Sequence, residues 1–211
     1  MAGRPRKFVE DQALDAAMAV FWERGFEAAT LAQLRAATGL SSASLYGAFG
    51  SKSGLFERAV THYVMGPGQV TDLVADTRLS AAEALSQMLH ASITMQSDPR
   101  HPLGCLVTLS ATVGAASEES VAAREAAARR READRSRIVE CVRRGQHTGE
   151  LGDRTRPEVI GALVHAFLLG ISTELLDGVE ASELHEAAEA LIDGLRTERA
   201  SAAKPRRRSR G

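Results

Sequence analysis

Residues 30–56 read TLAQLRAATGLSSASLYGAFGSKSGLF, and the fold follows from how this stretch divides. Thr30, Ser41 and Ser51 each stand where a side-chain oxygen can accept an orphan N–H of a first helical turn, so three helix starts lie within about two dozen residues. Leu31 and Leu34 share a face of the first segment, Leu45 and Phe49 a face of the second, and Leu55 and Phe56 open the third. Thr38-Gly39-Leu40 joins the first two, Gly39 permitting the tight turn. Two short helices across a glycine-containing turn predict a helix-turn-helix, whose second helix enters the DNA major groove.

These residues resemble the DNA-binding signature of TetR/AcrR-type bacterial transcription regulators: a glycine turn, a short helix carrying Leu45-Tyr46, then Phe49 and a Ser51-Lys52 step. The resemblance covers the first quarter of the chain in detail and the helical remainder in outline. Arg35 departs from it, since members often carry alanine there. An outward-facing Arg35 costs nothing; an inward one would disturb packing against Leu45.

Outward from this stretch, composition sets the class. The chain has 211 residues, 44% hydrophobic and only 4% aromatic, which with abundant alanine predicts close-packed helices. The net charge of −1 conceals a division. Residues 1–60 hold seven Lys/Arg against six Asp/Glu, residues 61–200 fourteen against twenty-one, and residues 201–211 five against none. An acidic body between basic ends implies local contact with nucleic acid rather than wrapping. Two cysteines without paired spacing, no apolar leader and no run of eighteen apolar residues predict a soluble, cytoplasmic protein with no membrane partner.

The expected architecture is all-α: a basic arm over 1–7, a three-helix helix-turn-helix head over 8–65, a helical ligand-binding and dimerisation body over 66–200, and a basic, disordered tail over 201–211. Pro5 predicts an extended Arg4-Pro5-Arg6-Lys7 arm suited to the narrow minor groove; a frayed terminus is the plainer alternative. Leu14, Ala17, Met18 and Phe21 recur at helical spacing, ended by Gly25, and Trp22 on that helix reads as packing. Met65-Gly66-Pro67-Gly68 marks the junction of head and body. In the body, helices are expected from Ser80 to Asp98, from Leu106 to Val113, from Ser117 to Arg144 with Gly145 and Gly149 as its stop, from Pro157 onward, and from Ser182 to Arg199.

Site residues follow from these placements. The second helix of the motif carries no charge from Ser41 to Phe49, so base reading falls to hydroxyl, methyl or water-mediated contacts from Ser42, Ser44 and Gly47, with Thr30 and Ser41 at the caps. The resemblance gives Tyr46 and Lys52 phosphate-contacting positions; Arg4, Arg6 and Lys7 complete the DNA set. Met88, Met95, Cys105, Leu109, His165 and Phe167 are candidates for an effector cavity, although each is equally a core residue. The helix after Pro157 is apolar nearly all round and the last has a clean stripe, so a partner chain covers them, with Leu163, Phe167, Leu184, Ala188, Leu191 and Leu195 as contacts; the resemblance implies the same pair as a dimer interface.

The function expected is a repressor, acting as a homodimer on inverted-repeat double-stranded operator DNA and released by an unidentified small, largely apolar effector. An activator, or a redox or electrophile sensor through Cys105, keeps the same fold. A dimeric α-helical enzyme or carrier is the rival class. Six histidines scattered over separate segments supply no catalytic or metal constellation, and no cofactor motif stands out. His101 and Cys105 have i,i+4 spacing, but Pro102 and Gly104 break the helix that a metal pair would need. Cys141 reads as core.

Overall fold

The computed structural model describes residues 4–110 and 117–197, with side chains from Glu10 onward. All regular elements among them are helical, apart from one isolated antiparallel bridge between Leu151 and Arg196. The tail 201–211, Val113 and Arg199 lie outside the described residues.

Helix α1 (Arg4–Ala28) is broken at Gly25, where φ is 72°. It begins at Arg4, so the arm is helical and not extended. Proline fits a first helical turn because its missing N–H lacks an intrahelical partner there anyway. Helices α2 (Leu31–Thr38) and α3 (Ser42–Phe49) are joined through Gly39 in the left-handed region at φ 69°, and α4 (Lys52–Val64) follows. Thr30, Ser41 and Ser51 all cap as expected. A 3₁₀ turn (Thr71–Ala75) leads to α5 (Ala81–Gln96), capped by Ser80 and Glu83 in a reciprocal box. Then come the short α6 (Leu106–Leu109), the long α7 (Glu118–His147), α8 (Pro157–Leu176) and α9 (Ala181–Leu195).

Two apolar clusters organise these helices. In the body, α5 is central: Leu85, Met88, Leu89 and Ile93 are fully buried against Ile138 and Val142 of α7, Val164 and Ile171 of α8, and Ala188 and Ile192 of α9. In the head, Phe21, Phe26 and Phe56 form an edge-and-stack trio with centroids 5.2–6.1 Å apart, closed by Leu34 and Leu45. This cluster continues into the body through Leu106, Val107, Ala123 and Ala127. Trp22 Nε1–H also donates to the Gly104 carbonyl at 3.1 Å, and Phe26 N–H to the Ser110 carbonyl at 2.7 Å. The head therefore meets the body through α1 as well as α4.

Two sequence readings need correction. Gly145 does not end α7; it is buried inside it, where an added Cβ would stand 2.6 Å from Ala81 Cβ and 2.7 Å from the Leu151 side chain. The glycine serves close approach, and the stop falls at Gly149, with φ 72°. The stripe of α9 faces its own body: Leu184 and Ala188 belong to the α5-centred core. Helix α8 has the length and mean hydropathy, 1.9, of a candidate membrane span, although it packs along α7 with Gly161 against Val139.

Candidate nucleic-acid interface

The helix-turn-helix is held by its caps and by two buried leucines. Thr30 N–H donates to Gln33 Oε1 at 2.8 Å while Gln33 N–H donates to Thr30 Oγ1 at 3.2 Å, a capping box that fixes the start of α2. Ser41 Oγ accepts from Ser44 N–H at 3.1 Å and lies 3.0 Å from Ser44 Oγ. Leu34 and Leu45 point into the head core. With Leu45 turned inward, Ala43, Ser44, Tyr46, Gly47 and Ala48 are left outward on α3. No charged group lies on this face. Arg35 is exposed, so the departure at that position leaves the packing undisturbed.

Of the sequence-derived DNA residues, Thr30, Ser41, Ser44, Tyr46 and Gly47 are exposed, and Ser42 and Lys52 are half-buried. Tyr46 is 44% exposed, with its ring outside the core. Lys52 is docked rather than free: its ammonium sits 4.4 Å above the Phe26 ring and donates to the Glu27 carbonyl at 3.4 Å. Burial lowers its pKa, with Glu27 and Glu119 opposing. This contact aims the cation from the first turn of α4, beside free N–H groups suited to a phosphate. The side chains of Arg4, Arg6 and Lys7 lie outside the described residues.

Two features of the interface escaped the sequence reading. Gln33 completes the capping box and was legible as the glutamine three residues after Thr30. Gly54 lies where an added Cβ would stand 2.1 Å from the Phe49 carbonyl oxygen, so the end of α3 rests directly on the backbone of α4. One glycine among helix formers gives no sequence signal of such contact.

The candidate body residues separate. Met95, Cys105 and His165 line a cavity of about 40 Å³ together with Tyr63, Gln96, Arg130, Arg131 and Asp134. Met88 is instead in the body core, Phe167 packs at its edge, and Leu109 lies where a Cβ on Gly104 would meet it. The lining carries more polar groups than the largely apolar effector expected from sequence requires. Tyr63 O–H donates toward Cys105 Sγ at 3.3 Å and Met95 Sδ at 3.7 Å. On the outer surface Leu163 and Leu195 line an open groove of about 840 Å³ with Val159; Leu191 is half-buried beside the core.

A capped helix-turn-helix with an outward, uncharged second helix, mounted on a helical body, defines a DNA-binding regulator. The comparisons agree. The profile of "Bacterial regulatory proteins, tetR family" matches residues 13–59. A cysteine mutant of the TetR family transcriptional regulator CifR, solved with 26 bp double-strand operator DNA, is 36% identical at a TM-score of 0.80, covering 90% of this chain and 98% of that one. The chain belongs to the TetR family of transcriptional regulators. Among curated relatives, the HTH-type transcriptional repressor BdcR of Escherichia coli (strain K12) is 37% identical over 106 residues, 50% of this chain and 53% of the relative. ComR, a repressor of the same strain, is 47% identical over 62 residues, 29% of this chain and 30% of the relative. The match thus spans about half of BdcR and under a third of ComR. A regulator from Cytophaga hutchinsonii, 20% identical at a TM-score of 0.74 over 94% of this chain and 99% of that one, shares the fold.

Proposed function

We propose that the protein is a cytoplasmic, ligand-responsive repressor that binds inverted-repeat operator DNA as a homodimer. The outward face of α3, uncharged and flanked by the Tyr46 hydroxyl and the Lys52 ammonium, carries this reading: small polar groups reach base edges while the flanking pair takes phosphates. The repressor names of BdcR and ComR and the operator complex of CifR support it. For dimerisation the support is the outer face of α8, where Val159 and Leu163 are 47% and 52% exposed, one helical turn apart. Two-fold symmetry then requires two equivalent half-sites.

Release requires a ligand with different affinities for the DNA-bound and free conformations. A coupling of about 1–3 kcal/mol changes operator affinity roughly 5–150-fold, and operator weakens ligand by the same factor. The cavity beside Tyr63 is suited to this, because Tyr63 ends α4 and shares the head core with α3.

The deciding experiment selects genomic fragments bound by the purified protein and measures anisotropy against the recovered sequence and a scrambled one. A sequence-specific, salt-sensitive complex on an inverted repeat is expected. Equal affinity for the scrambled duplex rejects the reading, and substrate turnover without DNA preference favours the enzyme or carrier class. A gain of transcription at the bound promoter in a reporter strain makes the protein an activator. The 3.3 Å contact between Tyr63 Oη and Cys105 Sγ favours a second reading, thiol sensing. Oxidant-driven release from operator that vanishes in Cys105→Ser establishes it, and release that persists there removes it.

A further inference from the structure

The cavity beside Tyr63 has an electrostatic imbalance. Its lining holds two guanidinium groups, Arg130 and Arg131, against one carboxylate, Asp134. Asp134 is already committed: it accepts from the Thr71 hydroxyl at 2.6 Å and pairs with Arg130 at 2.8 Å. Arg131 donates to the Val107 carbonyl at 2.8 Å and has no carboxylate partner among the described residues. Burial lowers its pKa, with Cys105 opposing.

A second lining group is also unsatisfied. His165 Nε2 is buried and has no hydrogen-bond partner among the described residues. Burial depresses the His165 pKa and favours the neutral ring, which has one N–H to give. Gln96 is held in place beside it, its Oε1 accepting from Ser172 at 2.6 Å and one of its two Nε2 hydrogens donated to Ser92 at 2.8 Å.

Arg131 is half-buried, and a planar guanidinium partly withdrawn from water is matched best by a carboxylate. Size narrows the choice. At roughly 10–15 Å³ per water-sized group, a cavity of about 40 Å³ takes the carbon and two oxygens of a carboxylate, and a tetrahedral phosphate overfills it. We propose that this cavity receives the carboxylate head of a small organic acid, with Arg131 as counter-ion, His165 as second donor, and the acid's short tail outside the enclosed space. The proposal rests on the ligand-responsive reading above and names the chemistry of that ligand.

The test uses the full chain with butyrate as probe, butyramide as its uncharged counterpart and sodium chloride at matched ionic strength, read by calorimetric titration. Butyrate should bind saturably and roughly tenfold or more tighter than butyramide, as a charge-assisted hydrogen bond requires. The preference should vanish in Arg131→Gln and weaken in His165→Phe. If Arg131→Gln fails to fold for want of its Val107 bond, His165→Phe, which keeps the ring shape, carries the test. Butyrate binding no tighter than butyramide, including none from either, overturns the proposal, as does undiminished preference in both folded variants. Adding the recovered operator separates the two readings. Acid-specific binding that leaves operator affinity unchanged keeps the site and rejects the ligand-responsive repressor; specific operator binding without acid preference does the reverse for this site.

Discussion

Two glycines close together in the sequence, Gly47 in α3 and Gly54 in α4, should respond oppositely to the same added methyl. At Gly47, in the middle of α3, nothing lies within 4 Å of the new Cβ. Gly47→Ala then removes only the entropic cost of glycine in a helix, a gain of up to about 1 kcal/mol. At Gly54 the new Cβ stands 2.1 Å from the Phe49 carbonyl oxygen, more than about 1 Å inside ordinary contact. Since the obstacle is backbone, no rotamer change relieves it. Overpacking of this kind costs about 1–3 kcal/mol, against a propensity gain of at most about 1 kcal/mol, so Gly54→Ala is net destabilising by up to about 2 kcal/mol. At roughly 2–4 °C per kcal/mol for a chain of this size, thermal melting at 222 nm should rise by a few degrees for Gly47→Ala and fall for Gly54→Ala. Operator affinity should also fall in Gly54→Ala, because displacing α3 by about 1 Å exceeds the ~0.5 Å tolerance of a recognition constellation. A Gly54→Ala protein melting at or above wild type, with undiminished operator affinity, refutes the reasoning.

Lys52→Ala should weaken binding to all duplexes and reduce the log-affinity versus log-salt slope by about 1, whereas Ser44→Ala should alter which base is preferred; an unchanged slope removes Lys52 from the phosphate contacts. Leu163→Glu should give a folded monomer by light scattering, because Leu163 is 52% exposed in the single chain, while Leu184→Glu should unfold the body by burying an unpaired carboxylate in its core. A Leu163→Glu protein of unaltered mass moves the interface elsewhere. With iodoacetamide at pH 8, mass spectrometry should find Cys105 labelled long before Cys141, since burial pushes the Cys141 thiol up to about 11 and the thiolate is the nucleophile; equal rates contradict the buried placement.

The head was legible in the sequence because its signals are local. Thr30, Ser41 and Ser51 cap within their own first turns, and Gly39 sets a turn by its own φ. Trp22 was likewise readable as packing. What escaped depends on partners remote in sequence. Periodicity shows that Leu184 and Ala188 share a buried face, but not that α5 of the same chain covers it. One letter, glycine, marks a chain reversal at Gly149 and a close approach at Gly145, and only the neighbours Ala81 and Leu151 distinguish them. The cavity was half legible: Met95, Cys105 and His165 were named, while Arg131 was hidden in an arginine run on α7 that reads as a solvated face.

The apolar cluster that joins α1 and α4 to α6 and α7 bears on how such proteins are taken apart and recombined. A fragment cut after Met65 would bare the surfaces that Leu106, Val107, Ala123 and Ala127 cover, and would strip Trp22 of the Gly104 carbonyl. Swapping DNA specificity between relatives at that cut therefore joins two half-cores that were never fitted to each other. A transplant confined to the exposed positions of α3, leaving Leu45 and Phe49 in place, changes the surface offered to DNA and keeps every contact between reader and body.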